Sequence, residues 1–377
     1  MKWQESFAKL IIIHLKKIND LDIKLVETEL SKSIKQAFRF PHLLFFLVLL
    51  VAFSTLFLSV SVGPINISIL DVFGELFSNI IPLNNERNIN DLHSQIFWQW
   101  RVPRALFGFI VGASLAVAGA CYQGVFSNPL ADPFLLGAAS GAGLGATFAI
   151  VFFGSAQPNI IGTVSVGAFS GAILAVGIAV FISQAAGKST ATLLLSGVAT
   201  ASFFTALQTF LMQQNLSSFR EIYSWLIGSL ANSGWQEVLI IGPYFIVCFT
   251  IIYVFARDLD FLRLSNAEAQ TLGASPARTK SVVVMMATLL TAIAVSLSGL
   301  IGFVGLIIPH IVRLLFGHSY TILIPFSALL GGVFLCLADL ICRTVISPAE
   351  LPIGVVTAFI GAPFFWFLLY LLKQKLD

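Results

Sequence analysis

From Ala105 to Ile182 the chain carries one charged side chain, Asp132. A stretch that long and that apolar cannot cover a water-facing surface. It must satisfy its backbone N–H and C=O groups internally while its side chains meet hydrocarbon or one another, which favours helices. The whole chain follows suit. Of 377 residues, 57% are hydrophobic and 10% charged, against roughly 25% charged in a soluble domain. The expected fold class is all-α, a polytopic membrane protein.

Apolar runs of spanning length recur at residues 42–62, 105–124, 134–153, 160–182, 193–212, 238–256, 281–300, 302–316, 320–341 and 352–372. The pair at 281–316 is the weakest. As one straight helix its 36 residues would run about 54 Å at ~1.5 Å per residue, far beyond a hydrocarbon core of ~30 Å. Two passes with "SGLIGFVG" as a glycine-rich turn fit better. Ten transmembrane helices with both termini cytoplasmic then place sixteen basic residues inside and five outside, the latter being Arg87, Arg101, Arg104, Arg220 and Arg343. Merging the pair gives fourteen and seven, a poorer match to the positive-inside rule.

Residues 1–40 mix basic and acidic side chains with apolar residues at near-helical spacing (Phe7, Ile11, Leu15, Ile18, Leu25). This predicts an N-terminal cytoplasmic extension, an amphipathic helix on the inner surface, ahead of a membrane domain over 41–377. The outer segment 63–100 and the inner segment 257–280 are the longest loops. Inside the spans, Gly137, Gly141 and Gly145 stand four apart, a spacing that lets helix backbones approach closely.

Several function classes lose ground on the residues. "AAGKST" resembles the end of a phosphate-binding loop, but Ile182 stands where its first glycine belongs, and the segment joins two membrane spans. The five histidines form no ligand pair and the four cysteines sit in or beside apolar runs, where free thiols pack as small hydrophobes. No catalytic residue, metal site or cofactor is expected. A net charge of +3 does not suggest nucleic acid. No secretory signal is expected at the N-terminus, because "LIIIHL" is short and is followed by Lys16 and Lys17. A stand-alone ion-coupled carrier would want carboxylates at mid-membrane, and spans one to eight have none at their centres. Asp339, four residues before Arg343, is expected to pair with it. A pathway without an ion site or nucleotide site must take its energy from another chain.

Three stretches then carry a resemblance. "RVPRALFGFIVGASLAVAGACYQGVFSNPLADPFLLGAASGAG", "GLIGFVGLIIPHIVRLLFG" and "LADLICRTVISPAELPIGVVTAFIGAPFFWFLL" resemble, in order, parts of the FecCD-type permeases of iron-chelate and cobalamin ABC importers. The likeness runs from about Phe40 to the C-terminus. It implies a subunit of the bacterial cytoplasmic (inner) membrane, embedded in lipid, that pairs with a second permease copy or paralogue. Two ATP-binding cassette ATPase subunits would drive it, and a periplasmic or lipoprotein binding protein would deliver the substrate. That substrate would be an iron chelate, a ferric siderophore first, with haem and cobalamin competing and molybdate-like oxyanions behind.

The resemblance also implies residue roles. Pro129 and Pro133 force an irregular turn in "NPLADP". That turn and the one before the fifth span would narrow the inner mouth of the path through Asn128, Leu130, Ser189, Thr190, Ala191 and Thr192, unless they are plain interhelical loops. The loop 257–280 would place two short helices in an ATPase cleft, with Leu264, Ala269, Leu272 and Gly273 at the contact. Ser265 and Asn266 depart from the family pattern. Arg101, Arg104 and Arg343 would receive glutamates of the binding protein, with helix-end capping or lipid headgroup contact as their other reading.

Overall fold

The structure, a computed structural model, describes residues 41–63, 91–154, 162–187, 189–231, 233–263 and 266–376. Contacts divide the chain into Met1–His42 and Leu43–Asp377. The surface helix expected over 1–40 lies outside the described residues, as do Leu264 and Ser265.

The regular secondary structure of the described part of the second unit is all helical, and no strand occurs among the described residues. In chain order the helices are α1 (His42–Ser61), α2 (Asp91–Ile96), a π turn (Phe97–Arg101), α3 (Val102–Val125), α4 (Ala138–Phe153), α5 (Thr163–Ala185) and α6 (Thr190–Gln214). They continue with α7 (Phe219–Leu226), α8 (Trp235–Val254), α9 (Ala256–Phe261), α10 (Asn266–Thr271), α11 (Pro276–Ser298), α12 (Val304–Phe316), α13 (Tyr320–Thr344) and α14 (Ile353–Leu376).

Seven helices of the described residues are long and apolar enough to cross a membrane. Two apolar helices, Ala138–Phe153 and Val304–Phe316, are shorter, and α14 opens with the apolar stretch Ile353–Phe367. Backbone geometry trims the first two. Gly154 (φ 68) stops α4, while Phe303 (φ 69) and Gly317 (φ 99) bracket α12, and those left-handed conformations cannot continue a right-handed helix. The break from Gly299 to Phe303 falls inside "SGLIGFVG", where a turn is expected.

Two regions between the expected spans differ from their expected form as loops. Residues 94–125 make one span of 32 residues, beginning eleven positions before the predicted start of span two. "FWQW" explains it. Phe97 is buried against Val60 and Ala105, and its ring meets Trp98 edge-on at 5.1 Å. The second is α7, which buries Ile222 completely while Tyr223 stays exposed, a short amphipathic helix in a segment with no spanning signal.

The span through α3 is 83% buried, whereas that of α8 is 17%, so α3 is the core and α8 a wall. Small residues make this possible. A methyl group at Gly119 of α3 would lie 2.0 Å from the Gly305 carbonyl oxygen of α12, and one at Gly112 would lie 2.2 Å from that of Gly331 in α13. The expected close approach at Gly141 and Gly145 is against α5. Methyl groups there would meet the carbonyl oxygens of Gly171 at 2.3 Å and Gly167 at 2.0 Å. Gly137 does not share that face. It caps α4 in the left-handed region (φ 87).

Candidate functional site: the Asn128–Phe134 turn, the α9–α10 segment and an arginine cluster

The turn after α3 is built from two successive Asx–Pro–apolar units. Asn128 precedes Pro129, and its Oδ1 accepts the Leu130 N–H at 2.9 Å. Asp132 precedes Pro133, and its Oδ1 accepts the Phe134 N–H at 2.7 Å. Prolines remove two backbone donors and the acidic or amide side chains satisfy two more, so the chain turns without stranded polar groups. Ser127 takes up a left-handed conformation (φ 49) to enter it. Burial pushes the Asp132 carboxyl up to about 6, although its bond from the Phe134 N–H works the other way.

Leu130 projects from this turn, 55% exposed, and Asn128 is exposed beside it. The second predicted gate turn begins α6. Ser189 caps that helix, its Oγ accepting the Thr192 N–H at 3.1 Å, and Thr190 and Ala191 are exposed. The Thr192 hydroxyl faces Ser183 Oγ of α5 at 3.3 Å. The two turns share α6 as a support, because a methyl group at Gly197 would lie 2.5 Å from the Leu135 carbonyl oxygen. An open groove of about 900 Å³ runs between the first turn and the body of α6, lined by Asp132, Phe134, Leu135, Val198, Ser202 and Thr205, among others.

The segment expected as the inner loop does contain two short helices, α9 and α10. Asp258 accepts the Thr279 hydroxyl of α11 at 3.2 Å. Asp260 accepts both the Ser319 hydroxyl at 2.7 Å and the Tyr320 N–H at 2.9 Å. Asp260 thus places a carboxylate at the N-terminus of α13, where unpaired N–H groups and the helix dipole favour it. Desolvation raises the Asp260 carboxyl, while those two bonds and nearby Arg263 lower it. Ala269 is fully buried. Gly273 ends α10 in the left-handed region (φ 88), and Leu272 beside it is 55% exposed. An exposed leucine on a pinned segment suits an apolar contact. Neither Asp258 nor Asp260 was marked out by the sequence, since two acids near a basic loop look like ordinary surface charge.

The three candidate docking arginines sit together with their guanidinium groups engaged by this chain, Arg101 and Arg343 buried and Arg104 12% exposed over its side chain. For Arg101 and Arg343 the contacts are those of their other reading, helix-end capping. Arg101 Nη1 donates to the carbonyls of Val60 (3.0 Å) and Ser61 (2.8 Å). Arg343 Nη2 donates to Ser59 O at 2.9 Å and Nη1 to Val62 O at 3.3 Å. Both arginines therefore cap the C-terminal end of α1, where carbonyls lack intrahelical partners. The expected Asp339–Arg343 pair is present at 3.0 Å. Arg104 joins it, with Nη2 2.7 Å from Asp339 and 2.8 Å from Glu350. Glu350 escaped notice in "SPAELP" because its partner lies 246 positions away.

A family model described as the FecCD transport family matches residues 47–371. A cobalamin import system permease protein of Halobacterium salinarum is 42% identical over 277 residues, covering 73% of this chain and 72% of that one. An Fe(3+)-citrate import system permease protein of Bacillus subtilis is 34% identical over 326 residues, covering 86% and 94%. Among solved structures, an inward-facing conformation of a metal-chelate type ABC transporter is 32% identical with a TM-score of 0.73, covering 87% of this chain and 98% of that one. With its long apolar helices, its small-residue packing and its motifs all within the matched span, this chain belongs to the FecCD transport family.

Proposed function

We propose that this permease imports an iron chelate across the bacterial cytoplasmic membrane, powered by ATP hydrolysis on separate subunits. The observation that carries the proposal is exposed Leu272 on a segment held to α11 and α13 by Asp258 and Asp260. Such a segment can receive an ATPase and pass on its motion. The chain would cross the membrane ten times, α4, α12 and α14 included, with both termini inside. It would work as a pair of copies or with a paralogue, and Asn128, Leu130 and Ser189–Thr192 would gate the inner mouth. The binding protein would dock at the outer end, where Glu350, paired with Arg104, is 30% exposed over its side chain. Arg101 and Arg343 would support that rim from beneath.

An iron chelate is the substrate class best supported by the relatives, with cobalamin or haem as competing cargo. Uptake of a ferric siderophore, of haem and of cobalamin into liposomes holding the whole importer separates these. Leu272→Asp is expected to abolish co-purification with the ATPase, because a charge would enter an apolar contact. Retention at the native level refutes docking here. Arg104→Glu is expected to weaken binding-protein docking in a salt-dependent way. Accumulation by this chain alone, driven by an ion gradient and indifferent to ATP, would instead establish a secondary carrier.

A further inference from the structure

We propose that Asp260, Tyr320, Arg313 and Gln123 form a side-chain relay that ties the position of α9 to the Asn128–Phe134 turn. The inference rests on the coupling and gating roles proposed above. It adds the physical link between them, and it makes these four side chains positioning residues for transport.

The relay starts where Asp260 holds the first residues of α13 through Ser319 Oγ and Tyr320 N. The Tyr320 ring then lies against α3 so closely that a methyl group at Gly124, the neighbour of Gln123, would come within 2.7 Å of the hydroxyl oxygen. On that same stretch of α3, Gln123 Oε1 accepts from Nη1 of Arg313 in α12. Gln123 Nε2 donates to the Gly305 carbonyl at 3.1 Å, and the residue is 2% exposed. Its backbone carbonyl accepts the Asn128 N–H at 3.1 Å, the bond that opens the turn.

The far side of the turn rests on the same helix. A methyl group at Gly305 would lie 2.7 Å from Pro133 Cγ. Both ends of the turn, Gln123 and Pro133, therefore sit on α12, and α12 carries Arg313. A buried amide that accepts from a guanidinium and donates to a carbonyl has both ends committed, so it follows its partners when they move. A shift of α9 that pulls Asp260 would move the start of α13, then Gln123 with Arg313, and the turn.

A static brace would show the same contacts. Coupling must be demonstrated as non-additivity and as altered stoichiometry. The test uses the full chain with its ATPase and binding protein in liposomes, with the variants Asp260→Asn, Tyr320→Phe and Gln123→Met. Tyr320→Phe keeps the ring on Gly124, and Gln123→Met keeps the volume, so both preserve packing. The expected result is wild-type co-purification and ATP hydrolysis within about twofold, with transport per ATP down about tenfold. Gln123→Met is expected to stay folded with a modestly lower melting temperature, because two buried partners lose a hydrogen bond. The Asp260→Asn, Gln123→Met double variant is expected to be no worse than its worse parent.

Unchanged transport per ATP in all three single variants overturns the relay, as do losses that multiply in the double variant. So does a loss of co-purification in Asp260→Asn alone, which would make Asp260 a docking residue. Leu272→Asp, measured alongside, separates the two levels. If it loses the ATPase while the three variants transport normally, only the relay fails. If it keeps the ATPase, the docking assignment fails and the relay with it.

Discussion

Arg343 of α13 donates a 2.9 Å hydrogen bond to the backbone carbonyl of Ser59 at the end of α1, 284 positions earlier in the chain. The first helix, only 28% buried over its span, is thus held at its end by arginine. Asp339 balances that buried charge, contacting Arg343 and Arg104 together.

Removing the carboxylate is expected to be severe. Asp339→Ala leaves Arg343 buried without its counter-ion, and breaking such a pair costs about 3–5 kcal/mol. Glu350, with 30% of its side chain exposed, should matter far less, about 1 kcal/mol or below on truncation to alanine. Thermal unfolding in detergent compares the two. Equal losses would show that burial does not set the energetics of this cluster.

The interface of α4 and α5 makes a steric prediction. Gly145→Ala places a methyl group 2.0 Å from a backbone oxygen, which the helices can relieve only by separating, at about 1–3 kcal/mol. Gly177, in the same helix α5, has nothing within 4 Å of the equivalent position. Gly177→Ala is expected to be neutral, or to stabilise by about 1 kcal/mol at most through helix propensity. Yield and melting temperature of the two variants decide it.

Asp132 makes stability depend on pH. Its carboxyl in the folded chain titrates at about 6, against about 4 when unfolded. Between these values the folded form holds a proton that the unfolded chain has released. Its contribution to stability therefore falls as pH rises through that window and is lowest above about pH 6. Asp132→Asn keeps an acceptor for the Phe134 N–H and removes the titration. The melting temperature of the wild type relative to this variant is expected to drop between pH 4 and 6.5. Parallel curves would refute the assignment.

At the turn itself, Asn128→Ala frees the Leu130 N–H and Leu130→Ala removes an exposed apolar tip. Both are expected to change basal ATP hydrolysis and transport in the assembled importer, and Leu130→Ala should do so without a change in melting temperature. If neither variant alters either activity, the turn is not a gate.

Local pattern was enough for much of this protein. The apolar runs placed the helices, because hydropathy over about 20 residues is a property of the run itself. Pro129 and Pro133 identified a turn from their missing N–H groups, the four-residue glycine spacing predicted close packing, and the α9–α10 loop was legible from composition and resemblance. What tertiary structure alone decided is where long polar side chains go. An arginine near a span end has the same sequence signature whether it meets water, lipid or a distant carbonyl. Apart from Asp339, four positions before Arg343, the partners of Arg101, Arg104 and Arg343 lie between 40 and 284 positions away. The same holds for Asp260 and Gln123, whose acceptors and donors come from helices far along the chain. The early start of the span at residue 94 and the buried side of α7 likewise depend on which surfaces the fold brings against Phe97 and Ile222. Helix position is set by solvation of the segment, which is local, whereas side-chain direction is set by where buried charge finds a partner, which is not.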